Sequence, residues 1–274
     1  RQRGKDGEKI RRELRARETE EHEGHRAPDE EERRRAVAAA RRAFAEALAA
    51  RRWLAVQVAE QVLKALGGRE RWEAQRGLRW SFGSSVGDTV RSIRTHAWDK
   101  HTGQHRVEGV TRAGVKFLFI HTLGDTTQGA AWYDGVAVEP DSARKLAQRA
   151  NAMWVNDSYW FLMPYKMLDP GVHLQDAGEV TEEGVRYHKL AMTFGAVGLT
   201  PGDRYWVFVN ARTHRVERWE FILQGQQPPA NRWTWEGWQE HDGLWFPTAH
   251  RQDRTNVFTN GVETVREFPA SVFA

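Results

Sequence analysis

The chain has 274 residues, 40% of them apolar, and its 41 basic and 37 acidic residues leave a formal net charge of +4. The arginines are spread along the chain beside equally dense acids, which argues against nucleic-acid binding, because nucleic-acid binders concentrate Lys and Arg on one face. The absence of cysteine excludes disulfides, thiolate metal sites and cysteine nucleophiles, and no apolar run reaches the roughly 18 residues of a membrane-spanning helix.

The first 35 residues contain 12 basic and 11 acidic side chains and almost nothing apolar, so we expect a charged tail or an exposed helix there. Between residues 35 and 66, apolar side chains such as Phe44 and Val62 recur at spacings of three, four and seven, which predicts a helix. Gly67-Gly68 would end it. A membrane-surface anchor is an alternative, but the strands that follow favour a helix laid on a sheet.

After Trp72 the apolar pattern changes to a period of two, most clearly over residues 78–82. Turn signals such as Asp134-Gly135 and Asn260-Gly261 separate about ten predicted strands and favour antiparallel hairpins. The further strands are predicted around 91–98, 105–110, 115–121, 130–138, 185–194, 204–210, 215–223, 232–241, 244–252 and 262–268.

One region departs from the strand pattern. Residues 141–153 indicate a helix, and a dense aromatic segment follows at 156–165, with Pro164 near its end. We interpret Asp157 and Ser158 as caps of a turn that carries Trp160 and Phe161 inward. The motif of this segment comprises Asp157, Ser158, Tyr159 and Pro164.

The predicted elements define a fold class. No internal repeat or low-complexity linker interrupts residues 36–274, which indicates one domain behind the charged segment 1–35. The class is α+β and mainly antiparallel β. Since an open sheet of about ten twisted strands curls, we predict a curved, unclosed β-barrel with the N-terminal helix packed on its concave face. Volume left between helix and sheet would hold a ligand.

Aromatic residues are the strongest functional signal. All 13 tryptophans except Trp53 lie from Trp72 onward, in the region of strands. An aromatic core is the favoured interpretation of any single ring, but the number of rings indicates that some line a cavity. The residues that we predict to line it are Trp80, Phe82, Phe119, Trp132, Trp160, Phe161, Trp206 and Trp219.

Motifs for catalysis or metal binding are missing. The sequence has no G-x-S-x-G, H-E-x-x-H, Walker A or G-x-G-x-x-G pattern, so we expect no catalytic residues and no cofactor. His96 and His105 flank a predicted turn on one hairpin. We expect both to be exposed surface histidines, because a metal site needs three or four convergent ligands.

Several segments resemble a known family. The run at 156–166, followed by Asp169-Pro170-Gly171-Val172, resembles a signature of a bacterial family of lipoprotein-like proteins. That family is similar to the superfamily of outer-membrane lipoprotein carriers and receptors, LolA and LolB, and to the envelope-stress sensor RseB. Weaker similarity occurs at 66–72, 210–216 and 243–247. The resemblance covers about 66–268.

The resemblance implies an unclosed β-barrel with helices over its mouth, an apolar cavity for acyl chains, and a periplasmic or outer-membrane-associated location. The first functional hypothesis is therefore non-enzymatic binding of a lipid or lipoprotein acyl chain, as an envelope carrier or sensor. Its partners would be an apolar small molecule or acyl chain and an envelope protein, with peripheral membrane contact as a further option. The alternatives are an envelope protein–protein interaction module with a filled core, and a hydrolase or isomerase that uses the same concavity.

Overall fold

The computed structural model describes residues 29–195, 197, 199, 200 and 202–274, without the side chains of residues 126 and 128. The chain divides into two units, Arg1–Ala50 and Arg51–Ala274. We expected a charged tail or an exposed helix over residues 1–35. Of these, residues 1–28 lie outside the described ones. Residues 30–50, in the first unit, are helical. The division into a segment 1–35 and one domain 36–274 stays a prediction.

Three α-helices lie in the described residues, and a short 3-10 turn, Ala270–Val272, follows the last strand. The helices are α1 (Glu30–Ala65), α2 (Arg69–Ala74) and α3 (Pro140–Lys166). The predicted N-terminal helix is thus present, and its residues Ala55, Val58 and Val62 are buried, whereas Phe44 is 67% exposed. No described helix has the length and apolar character needed to cross a bilayer.

The strands form antiparallel hairpins. In chain order they are β1 (Gly77–Val86), β2 (Thr89–Asp99), β3 (Gln104–Val110), β4 (Lys116–Thr122), β5 (Asp125–Tyr133), β6 (Val136–Ala137), β7 (Val172–Glu182), β8 (Val185–Phe194), β9 (Arg204–Asn210), β10 (Val216–Ile222), β11 (Asn231–Thr234), β12 (Gln239–His241), β13 (Leu244–Phe246), β14 (Ala249–Gln252) and β15 (Thr255–Val265).

Two sheets contain most of these strands, and neither closes on itself. The first has the order β14-β15-β1-β2-β3-β4-β5-β6 and the second β11-β10-β9-β8-β7, while β12 and β13 pair with each other. Each pair is antiparallel. A bridge between Glu236 and Ala249 connects the segment after β11 to β14. The predicted fold class, a mainly antiparallel unclosed barrel with an N-terminal helix, is confirmed.

Strand β7 was not predicted, and its register explains why. The pairing of β7 with β8 shifts between Asp176 and Glu179, where Gly178 has a φ of 89°. Such a bulge inserts a residue and breaks the period of two on which the prediction rests. The predicted strands at 130–138 and 244–252 each divide into two for a similar reason, since a turn at Asp134-Gly135 or a proline at 247 interrupts the ladder.

The end of α1 is fixed in the core of the second unit. Gly67 has a φ of 114°, and a Cβ built there would lie 2.0 Å from the Gly243 carbonyl oxygen, so only glycine fits. The Tyr165 hydroxyl lies 2.9 Å from the Leu66 carbonyl oxygen and 2.8 Å from that of Trp245. The C-terminal ends of α1 and α3 are therefore joined to β13.

Candidate functional site

Helix α3 positions the residues of the candidate site. Pro140 begins it, where a missing N–H costs nothing, and Asp141 in the first turn interacts favourably with the helix dipole. The aromatic segment predicted as a turn is helical and forms the second half of α3. Pro164 lies inside the last turn, where it removes one backbone N–H donor, and the helix ends two residues later at Lys166.

One side of α3 borders a cavity of about 580 Å³, within the usual range of ligand pockets. The helix supplies one wall, and strands β9 and β10 with the start of β7 and the end of β8 supply the others. The residues that line the cavity are Trp154, Val155, Asn156, Ser158, Tyr159, Trp160, Lys166, Asp169, Pro170, Val172, Phe194, Val197, Leu199, Thr200, Asp203, Tyr205, Trp219, Phe221 and Leu223.

Six aromatic rings of this lining pack against one another. Tyr205 lies 5.1 Å from Trp219, 5.5 Å from Phe221 and 5.6 Å from Phe194, measured between ring centroids. From α3, Trp160 meets Trp219 edge-on at 4.7 Å. Because each ring is supported by its neighbours, the cavity is a preformed aromatic chamber, and a ligand would not have to assemble it.

Among the residues that the structure describes, the charged groups of the lining are Lys166, Asp169 and Asp203. The Lys166 ammonium is 2.5 Å from the Asp169 carboxylate, so these two charges compensate each other. Asp203 is 5% exposed and accepts hydrogen bonds from the Thr200 hydroxyl at 2.6 Å and the Gln224 backbone N–H at 2.7 Å. The lining therefore has one carboxylate in excess.

The structure brings two of the eight predicted lining residues, Trp160 and Trp219, into this cavity. Tyr159 and Ser158, from the predicted motif, line it as well. The prediction missed lining residues such as Tyr205 and Phe221. The aromatic residues of β9 and β10 were the sequence signal that could have found them. That signal did not separate the two faces of the second sheet.

The other six predicted lining residues lie elsewhere. Trp80 and Phe161 are fully buried and contact each other, with ring centroids 5.3 Å apart. Phe82 is 5% exposed in the same core cluster, and Phe119 belongs to a second cluster. The remaining two are half-buried strand residues outside the lining, Trp132 beside Leu118 and Trp206 under the Lys189 ammonium. Their contact with a ligand stays a prediction.

The opposite side of α3 contains a buried polar chain that the sequence interpretation missed. Asp157 does not cap a turn; it lies within α3 with none of its side chain exposed. Arg94 of β2 binds it with two N–H groups, the Nη2–Oδ1 distance being 2.6 Å. Its Oδ2 lies 2.9 Å from His96 Nε2, and Asn156 donates to Oδ1 at 2.9 Å.

Three imidazoles continue this chain across β2, β3 and β4. His96 Nδ1 lies 2.9 Å from His105 Nε2, and His105 Nδ1 lies 2.9 Å from His121 Nε2. The carboxylate only accepts, so His96 must donate to it from Nε2. With neutral rings, each next histidine then donates from Nε2 toward Asp157. The three rings share one tautomer, and His121 Nδ1, the last acceptor, has no partner among the described residues.

Burial sets the protonation of this chain. It lowers the pKa of His96 although Asp157 opposes the shift, lowers that of His105 far further with help from its two neighbours, and lowers that of His121. For Asp157, burial would raise the pKa, but the hydrogen bonds from Arg94 and His96 and the charge of Arg94 outweigh it and hold the pKa below its usual value. The rings are neutral and the carboxylate is ionised near pH 7.

The expectation of exposed surface histidines at 96 and 105 was wrong, because both are fully buried. The register explains their burial: His105 lies directly opposite His121 on β4, and His96 lies opposite Trp80, whose ring stacks on it at 4.8 Å. In the described residues no three His, Cys, Asp or Glu side chains converge as metal ligands, and the imidazole nitrogens face one another in a line.

No family model and no curated protein match the sequence. Among solved structures, a DUF1329 family protein from Desulfovibrio piger is 12% identical, with 80% of this chain and 97% of that chain covered and a TM-score of 0.45. A LolA superfamily protein from Nitrosomonas europaea is 11% identical, with 79% and 97% covered and a TM-score of 0.47. The lipoprotein LppX from Mycobacterium tuberculosis is 14% identical, with 64% and 94% covered and a TM-score of 0.27. The superfamily that the sequence resembles is thus represented among the matches.

Proposed function

We propose that this protein binds an apolar ligand, a lipid or an acyl chain, in the cavity between α3 and the second sheet, and that it acts as a carrier or sensor in the bacterial envelope. The cavity of about 580 Å³ with its aromatic lining is the observation that supports this most. The envelope location and an exchange partner there follow from the family that the sequence resembles. The proposal includes no catalytic step.

Burial of the alkyl chain would drive binding. Each methylene group moved from water into an apolar site contributes about 0.8 kcal/mol. The aromatic rings already pack against one another, so binding would order few additional side chains. A cavity of this kind also argues against the alternative of an interaction module whose core is filled.

The test is the uptake of a fluorescent fatty-acid analogue by the purified protein. Val155 lies on α3 and lines the cavity, so Val155→Trp would fill the space from one wall. Val110, at the end of β3, is 56% exposed and lies outside the lining, so Val110→Trp adds the same side chain without entering the cavity.

We expect Val155→Trp to lose most of the uptake while its far-UV circular dichroism stays unchanged, and Val110→Trp to bind as the unmodified protein does. Native mass spectrometry after gentle purification would identify a co-purified acyl species. Unreduced uptake by a folded Val155→Trp protein would contradict the location of the site, and no uptake by the unmodified protein would contradict the function.

A further inference from the structure

We propose that the ligand of this cavity is a cationic amphiphile, an alkyl chain with an ammonium head group, and that Asp203 and the surrounding aromatic rings bind the head group. This inference rests on the proposed function and names its ligand class. Two independent observations on the described residues support it: none of them pairs with the Asp203 carboxylate as a counter-ion, and none of their Arg or Lys side chains lies over a ring of the cavity.

Asp203 is buried, and no cationic side chain among residues 29–274 that the structure describes serves as its counter-ion. Its partners are the Thr200 hydroxyl, the Gln224 backbone N–H and, at 3.5 Å, the Tyr205 hydroxyl, and all three are neutral. Within the described part of the chain it forms no ion pair. A buried charge that only dipoles solvate is costly to keep, and a ligand of opposite charge would compensate it.

Asp203 lines the cavity together with Tyr205, whose hydroxyl lies 3.5 Å from the Asp203 Oδ2, so the negative charge acts there. Burial raises the pKa of Tyr205, and the Asp203 carboxylate beside it raises that pKa further. Burial also raises the pKa of Tyr159, with smaller contributions from Tyr205 and Asp169. Since Lys166 is paired with Asp169, its ammonium does not cancel the field of Asp203. The cavity therefore favours a cation over an anion.

No Arg or Lys side chain of the described residues lies over a ring of the cavity lining. Elsewhere in the described residues Arg and Lys side chains lie over aromatic rings, as Lys189 does over Phe208 at 4.7 Å and Arg215 over Trp245 at 4.0 Å. Tyr and Trp faces attract ammonium groups, most strongly where water is excluded, and cages of such rings recognise quaternary ammonium ligands.

The test compares three ligands with alkyl chains of equal length, an alkyltrimethylammonium, an alkanol and an alkanoate, each below its micelle concentration. Isothermal titration calorimetry at pH 7 gives the three affinities. We expect the ammonium compound to bind at least about tenfold more tightly than the alkanol, and the alkanoate to bind most weakly. Equal affinities for the ammonium compound and the alkanol would overturn the inference.

Two variants assign the effect to Asp203. In Asp203→Asn we expect the ammonium affinity to fall about tenfold and the alkanol affinity to stay within about twofold. Glu220→Gln removes the same charge from β10 at a residue outside the cavity lining, where Glu220 pairs with Lys189 at 3.1 Å, and it should change neither affinity. An undiminished preference for ammonium in Asp203→Asn would overturn the assignment.

The outcomes for the two proposals are distinct. If none of the three ligands binds, the proposed function fails. If the alkanol binds and the ammonium compound shows no advantage, the proposed function stands and the ammonium inference fails. Circular dichroism and retained alkanol binding verify that Asp203→Asn is folded, and the ranking of the three ligands in the unmodified protein decides the inference without any variant.

Discussion

The two sides of α3 differ in how they are filled. Toward the first sheet, Asp157 is fully buried and bound by Arg94 and His96, and a Cβ added to Gly129 would lie only 2.9 Å from the Ala147 Cβ. Toward the second sheet, the same helix borders a cavity of about 580 Å³. The ring of Trp154 belongs to both sides, since it lies 5.3 Å from His105 and also lines the cavity.

This difference suggests a division of roles along one helix. Atoms that line an apolar cavity of this size lack van der Waals contacts on one side, so a helix that was free to move would shift into the cavity. The ion pair, the hydrogen bonds and the close small-residue packing on the other side resist that movement. The side of α3 that faces the first sheet, which we call the histidine side, would therefore hold the helix in place. The side that borders the cavity would bind the ligand. The predictions below test whether the two sides are separable in this way.

Acidification should weaken the histidine side most. Unfolded histidine has a pKa of about 6.5, whereas burial lowers the pKa of His96, His105 and His121 in the folded protein. Below about pH 6.5 the unfolded chain therefore binds protons that the folded chain does not, and the free energy of unfolding falls as pH decreases. A histidine that stays neutral in the folded protein at pH 5.5 loses about 1 kcal/mol, so about 3 kcal/mol is the upper limit for the three, and His105, whose pKa is lowered furthest, should contribute most.

Denaturant unfolding at pH 7 and pH 5.5 measures this loss. His250, which is fully buried and whose pKa burial lowers to about 3, should add about 1 kcal/mol. The pKa of Asp157 is lowered as well, so its contribution is complete above about pH 4 and does not affect this interval. The Val155→Trp protein should show the same loss, since none of the described residues that line the cavity is a histidine. Equal stability at the two pH values would contradict the buried neutral chain.

Removing the charge of Asp157 should have the next largest effect. Asp157→Asn leaves Arg94 without its counter-ion and His96 with a weaker acceptor, and breaking a buried ion pair costs about 3 kcal/mol or more. Asp141→Asn is the matched control on the same helix, because its partner among the described residues is the exposed Arg144. It should cost about 1 kcal/mol or less. Similar losses in thermal or denaturant unfolding for the two variants would show that Asp157 does not hold the helix.

The architecture was largely predictable because periodicity reports it. The strand period of two, the helical stripe that includes Val58 and Val62, and turn signals such as Asp134-Gly135 gave the antiparallel sheets and the N-terminal helix. The aromatic segment at 156–165 was interpreted as a turn, because Asp157 and Ser158 are residues that cap turns and Pro164 suggested an end. Its burial spacing in α3, from Trp154 through Asp157 and Phe161, is nevertheless helical.

The site was less predictable because it depends on contacts between distant segments. Aromatic alternation predicts which rings face inward, but it does not predict which of them border a cavity. Trp80 and Trp219 therefore look equivalent in sequence. The histidine chain depends on register: His105 and His121 meet only because β3 and β4 pair as they do. Asp157 reaches Arg94 across 63 positions of the chain, and no local pattern encodes that contact.

Enlarging a side chain on each side of α3 should give opposite results. Ala150 is fully buried in the cluster with Phe117 and Phe119, so Ala150→Leu overpacks that side and should cost about 2 kcal/mol. Val155→Phe extends into the cavity and should cost less than about 1 kcal/mol, while it reduces ligand uptake. Chemical denaturation measures both changes. A larger loss for Val155→Phe than for Ala150→Leu would indicate that the cavity side is the more closely packed one.

The smallest expected effect separates the charge of the Arg94–Asp157 ion pair from its geometry. Arg94→Lys keeps the positive charge beside Asp157 but replaces two directed N–H groups with one flexible ammonium, and it removes the guanidinium that lies 5.6 Å from the Phe82 ring. We expect a loss of about 1 kcal/mol in denaturant unfolding, because the buried carboxylate stays compensated. If charge alone holds the helix, Arg94→Lys will match the unmodified protein. If the two hydrogen bonds from Arg94 hold the helix, ligand affinity should fall along with stability. The cavity wall formed by Trp154 and Ser158 would then be free to shift into the cavity.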